Sequence, residues 1–155
     1  ADPQIAVGIM RQILAGLAAL KPEDFDFMRL DSYGPERLNA LTDELMLLPQ
    51  PERGVRAMFE VIERLSESDL GSPGPLVHTL EQMSGQYENE LVESIKRKPT
   101  PLNVWMITRI LNVTDPSEQR QYYLDLLKVV VQHPTATEEA RQYAQDFIEH
   151  QNGAA

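Results

Sequence analysis

The chain has 155 residues, 42% of them hydrophobic, with 24 acidic and 14 basic side chains and no cysteine. Its length suits one domain able to bury about 70% of the surface its unfolded chain exposes, so residues 1–155 read as a single helical domain. Without cysteine there are no disulfides and no thiolate metal sites, and a formal net charge of −10 repels the phosphate backbone that dominates nucleic-acid affinity, which argues against nucleic acid as a partner.

Ile5, Ile9, Ile13, Leu17 and Leu20 recur at four- and three-residue spacing. They predict one buried face of a first helix, which Pro3 opens and Lys21-Pro22 ends. Arg11 and Gln12 interrupt the apolar stretch, which falls short of the roughly 20 residues a membrane span needs. It also lacks the basic leader and cleavage site of a secretory signal. A cytoplasmic protein with no membrane partner is the expectation. Phe25, Met28 and Leu30 are expected to pack against this first helix.

Gly34-Pro35 opens a second helix that turns Leu38, Leu41, Leu45 and Leu48 toward the core and closes at Pro49. Pro51 starts another, with Val55, Met58, Phe59, Ile62 and Leu65 as its buried stripe. Ser66 to Pro75, containing Leu70-Gly71-Ser72-Pro73-Gly74-Pro75, is too rich in breakers to be helical. Further helices are predicted over Leu76 to Met83, Tyr87 to Lys98 and Leu102 to Val113. Asp115-Pro116 begins a long one bearing Tyr122, Tyr123, Leu126, Leu127 and Val130. His133-Pro134 ends it, and Thr135 or Thr137 caps a last helix through Ile148. No segment reads as a strand, since Val129-Val130-Val131 lies inside a longer helical pattern. The predicted fold class is all-α, built from stacked antiparallel helix pairs. Two architectures fit, a HEAT-like irregular solenoid with repeats of roughly 40 residues and a compact helical bundle.

Catalytic signatures are missing. His78, His133 and His150 form no local metal-binding pair; His78 and Glu81 can share a helix face but lack the further carboxylates and second histidine of a helical di-metal site. The Gly71 to Pro75 loop lacks the Lys-Ser/Thr ending of a phosphate loop and has prolines where backbone donors are needed. The chain reads as a binding protein rather than an enzyme, with no catalytic, cofactor or metal residue assigned.

Charge placement is more informative. From Glu60 to Glu93 the acids Glu60, Glu63, Glu67, Asp69, Glu81, Glu88, Glu90 and Glu93 face one base, Arg64. Glu23, Asp24 and Asp26 form a second cluster. Such runs are either solvated helix faces or docking surfaces for a cationic partner. Trp105, flanked by Val104 and Met106, is expected in the core, whereas Tyr87, beside the break at Gly85, is expected to expose its ring. The candidate partner-binding residues are Glu60, Glu63, Glu67, Asp69, Tyr87, Glu88 and Glu90.

Two stretches carry a family resemblance. Asp69-Leu70-Gly71-Ser72-Pro73-Gly74-Pro75-Leu76-Val77-His78 is one, and Lys96-Arg97-Lys98-Pro99-Thr100-Pro101-Leu102-Asn103-Val104-Trp105-Met106, continuing to Arg109-Ile110-Leu111-Asn112, is the other. Together they resemble segments of the all-helical immunity proteins encoded beside bacterial polymorphic and contact-dependent growth inhibition toxins. The resemblance spans Leu38 to Ile148. It implies a cytosolic antidote that binds one toxin domain and covers its active site or substrate access. Such toxins are often basic nucleases or RNases, for which an acidic inhibitor is a physically sensible partner. The alternative is a helical-repeat scaffold that holds another protein or peptide in a groove.

Overall fold

The computed structural model describes residues 2–113 and 117–153, with Ser117 and Asn152 described by backbone alone. They form helices α1 (Pro3–Ala19), α2 (Gly34–Met46), α3 (Val55–Arg64), α4 (Gly74–Glu81), α5 (Glu88–Arg97), α6 (Pro101–Val113), α7 (Ser117–Gln132) and α8 (Glu138–Gly153). Pro22–Phe25 and Pro51–Gly54 form single 3₁₀ turns. No strand occurs among the described residues, and the all-α class stands. The Asp115-Pro116 start expected for α7 lies outside the described residues.

Helix starts follow local capping chemistry, but some bounds differ from expectation: α2 stops at Met46 and leaves Leu48 outside it, half-buried; Gly74 and Pro75 form the first turn of α4 rather than loop; and α8 runs past Ile148 to Gly153. Asp2 accepts the Gln4 N–H at 2.9 Å ahead of Pro3. At α6, the Thr100 N–H donates to Asn103 Oδ1 at 2.7 Å while the Asn103 N–H donates to Thr100 Oγ1 at 3.2 Å, a reciprocal capping box. Of the two threonines considered for α8, Thr137 is the cap, its hydroxyl accepting the Ala140 N–H at 3.0 Å. Thr135 instead donates to the Arg97 carbonyl at 2.8 Å.

The chain resolves into two compact units, Ala1–Glu90 and Leu91–Ala155, so that the division falls inside α5. In the first unit α2 packs on α1 and α4, and α1 also packs on α3. Ile13, Leu17, Leu38, Leu45, Met58, Phe59, Ile62, Leu76 and Leu80 form its core. Arg64 locks the end of α1, donating to the Leu17 and Leu20 carbonyls at 3.0 and 3.2 Å. In the second unit α6, α7 and α8 pack pairwise. Val104, Ile107, Leu111, Leu127, Val130, Ala140 and Ala144 are buried there. No described helix is long and apolar enough to cross a membrane.

Periodicity misplaces a few side chains. Ile5 and Ile9 continue the stripe of Ile13 and Leu17 yet are 62% and 36% exposed, because the first turns of α1 run past the elements that cover its later ones. Met28 and Leu30 do not pack against α1 but stand out in solvent. Tyr122 is exposed while its neighbour Tyr123 is buried. Trp105 is only half-buried, with the Arg109 guanidinium 4.9 Å above its ring centre, a cation–π contact at the rim of the core rather than a place within it.

Candidate protein-binding surface

All seven expected partner-binding residues lie in the first unit, and the structure gives them different duties. Glu60 and Glu67 are exposed, but Glu60 is paired with Arg56 at 3.2 Å, one helical turn earlier. Glu63 is half-buried and already engaged. Tyr87 is 5% exposed, which overturns its expected outward ring. The Glu88 carboxylate accepts the Gly85 and Tyr87 N–H groups at 2.8 and 3.2 Å, so it holds the turn that starts α5. Glu90 is half-buried and engaged. These residues therefore do not form one acidic face.

Asp69 belongs to a different grouping. Its carboxylate accepts the Gly71 N–H at 3.0 Å, an Asx turn at a glycine with φ of +100°. The same aspartate lines a hollow of about 240 Å³ with Phe25, Pro35, Leu38, Leu70, Gly71 and Pro75. Phe25 and Pro35 flank the turn that joins the first 3₁₀ segment to α2. Across that turn Phe27 is 85%, Met28 82%, Leu30 100% and Tyr33 66% exposed.

The turn is a built structure. Asp24 Oδ2 accepts the Lys21 N–H at 2.9 Å and Asp26 Oδ1 accepts the Met28 N–H at 3.0 Å. The Ser32 hydroxyl sits 2.9 Å from the Glu23 carbonyl and 2.5 Å from the Asp26 carbonyl and donates between them. Arg29 and Asp31 pair at 3.3 Å. Gly34 closes the base, since a Cβ there would lie 2.8 Å from the Asp24 carbonyl carbon. Four large apolar side chains are thereby displayed in a sequence frame that holds Glu23, Asp24, Asp26 and Asp31, the last paired with Arg29, while Asp69 lines the hollow beside Phe25 and Pro35. Water gains nothing by meeting them, and burying a Phe, Met or Leu side chain in a partner is worth about 1.5–3 kcal/mol each.

The acidic half of this frame was visible in the sequence as Glu23, Asp24 and Asp26. Its apolar half was not, since Met28 and Leu30 read as core. The signal that finds them is the density of turn formers, Asp26, Asp31, Ser32 and Gly34, around a run without helical spacing.

Comparison with family models, with curated proteins and with solved structures finds no match to this chain.

Proposed function

We propose that the chain is a binding protein of the immunity type, which neutralises a cognate basic toxin domain by seating the 26–33 turn on it and covering its active site. The observation that carries this reading is the ordered turn that exposes Phe27, Met28, Leu30 and Tyr33 in a stretch carrying Glu23, Asp24, Asp26 and Asp31. Exposed aromatic and aliphatic anchors ringed by polar groups are the anatomy of an interface centre. Their fixed backbone lowers the ordering cost of association, and the acids steer a cationic partner. The family resemblance of the two turn-rich segments supports the specific role.

The test is stopped-flow binding to the toxin domain encoded immediately upstream of the gene. Leu30→Asp should weaken binding by about 30-fold, the loss of one hot spot of about 2 kcal/mol, without lowering thermal stability. Asp26→Asn and Asp31→Asn should slow association and flatten its salt dependence. If no toxin domain is encoded there, or it does not bind, the immunity role fails. If it binds Leu30→Asp as tightly as the parent, the interface lies elsewhere.

A further inference from the structure

α1 carries a second uncovered face whose charge is opposite to that of the acidic turn. Arg11 is the only ionisable side chain between Pro3 and Leu20. Gln4, Val7, Arg11, Leu14 and Ala18 follow one another at spacings of three and four, the seam of a helix that packs lengthwise on another helix. The residues that α1 buries, Ile13, Gly16 and Leu17, lie on its other side. Val7 is 44% exposed; Gln4, Arg11 and Ala18 are exposed too, and Leu14 is half-buried.

Two hollows open along the start of this seam. One, of about 360 Å³, is lined by Pro3, Gln4, Val7, Gly8 and Arg11. A Cβ on Gly8 would meet nothing within 4 Å, so a foreign side chain can seat there. The other, of about 450 Å³, has Ala6, Val7 and Met10 facing Leu48 and Pro49, with Arg11 and Arg53 also in its lining. Among the described residues neither guanidinium takes part in a hydrogen bond or ion pair. An apolar groove with two idle guanidinium groups is complementary to an apolar segment bearing carboxylates.

We propose that this face of α1 docks an amphipathic helix of a protein partner, apolar on its packed side and carrying Asp or Glu opposite Arg11 and Arg53. From Gln4 to Ala18 the seam is about 21 Å long at 1.5 Å per residue, the reach of a helix rather than of a small ligand. A second copy of the chain is the poorer occupant. Arg11 is the midpoint of the seam, so two copies in full overlap, parallel or antiparallel, set one Arg11 against the other, and like charges there are repulsive.

The probe is a synthetic 20-residue helical peptide with leucine and alanine at seam positions and glutamate at the central one; its twin carries lysine instead. Titrated into the full chain, the glutamate peptide should shift the Val7 and Met10 methyl resonances and bind at least tenfold more tightly than the lysine peptide. Arg11→Glu should reverse that preference. Val7→Glu, on an exposed position, should leave the melting temperature unchanged and abolish binding of both. Equal affinity for the two peptides, or methyl shifts confined to other residues, would overturn the proposal. So would a concentration-dependent dimer in sedimentation that Val7→Glu abolishes, since it would give the face to a second copy.

Discussion

Replacing Asn103 with alanine should destabilise the second unit by about 3 kcal/mol, more than the loss of one small polar side chain suggests. Asn103 is fully buried, as are Ser94 and Thr100. Its Oδ1 accepts the Thr100 N–H at 2.7 Å, and its Nδ2 donates to Ser94 Oγ and to the Lys98 carbonyl, both at 3.0 Å. Alanine removes three hydrogen bonds and strands two backbone groups, the N–H of Thr100, which caps α6, and the Lys98 carbonyl just past the end of α5. Each stranded buried group costs about 1–3 kcal/mol. The Lys98 carbonyl is only partly buried and recovers some of its loss from water, and alanine returns about 0.5 kcal/mol as the better helix former. Ser94 is excluded from the sum because its hydroxyl has another interaction.

Urea melts followed by circular dichroism measure the loss. The companion Asn103→Asp separates the parts of the network: a carboxylate still accepts from Thr100 but faces the Lys98 carbonyl with no proton to donate, so it should not restore stability. Ser94→Ala should cost only about 1 kcal/mol. A loss below about 1 kcal/mol for Asn103→Ala would refute the reasoning, because it would mean that water replaces these bonds freely.

The other predictions concern burial and backbone space. Phe59→Ala, at a position with no exposed surface, should cost about 3–5 kcal/mol, whereas Trp105→Ala should cost less, about 2 kcal/mol, because the residue is only partly buried and its ring contacts the Arg109 guanidinium; equal losses in denaturant melts would place Trp105 in the core after all. Gly34→Ala should cost about 1–3 kcal/mol through the forced retreat of the Asp24 carbonyl and should move the amide resonances of 26–33, and an unchanged spectrum would show that the turn does not depend on that closure.

The helices were legible because each is announced by local chemistry. Pro3, Pro35 and Pro101 sit in first turns, Thr100 and Thr137 cap, and Gly71, Gly74 and Gly85 take the positive φ that the breaks require. Side-chain exposure was less legible wherever it depends on where a neighbouring element stops. Ile5 and Ile9 have the same spacing as Ile13 and Leu17, and nothing within α1 reveals that its cover ends partway along. Tyr87 and Glu88 misled for the opposite reason. A polar residue beside a glycine break looks free in sequence, yet the turn ahead of α5 needs acceptors for its N–H groups, and Glu88 supplies them to Gly85 and Tyr87.

The acidic turn and the cationic face of α1 can serve different partners only if they are electrostatically separate, and α2 supplies the separation. The turn runs into Gly34, the first residue of α2, while Leu48 to Arg53, which complete the groove, follow its last residue Met46. The 13 residues of α2 put about 20 Å between the turn and the Leu48–Arg53 side of the groove, and the eight steps from Arg11 to Ala19 put about 12 Å between Arg11 and the end of α1, at 1.5 Å per residue. Both exceed the Debye length of about 8 Å at physiological salt and the roughly 7–10 Å within which substitutions couple. Closer together, Arg11 and Arg53 would neutralise the acids and neither face would hold its sign. Leu30→Asp and Arg11→Glu should therefore act independently in a double-mutant cycle. Arg11→Glu should alter binding of the acidic helix alone, Leu30→Asp should alter binding of the basic partner alone, and the coupling should stay within about 0.5 kcal/mol for either. Isothermal titration of the four proteins with each ligand measures it. A coupling above about 1 kcal/mol would show that α2 does not insulate the two faces and that they work as one interface.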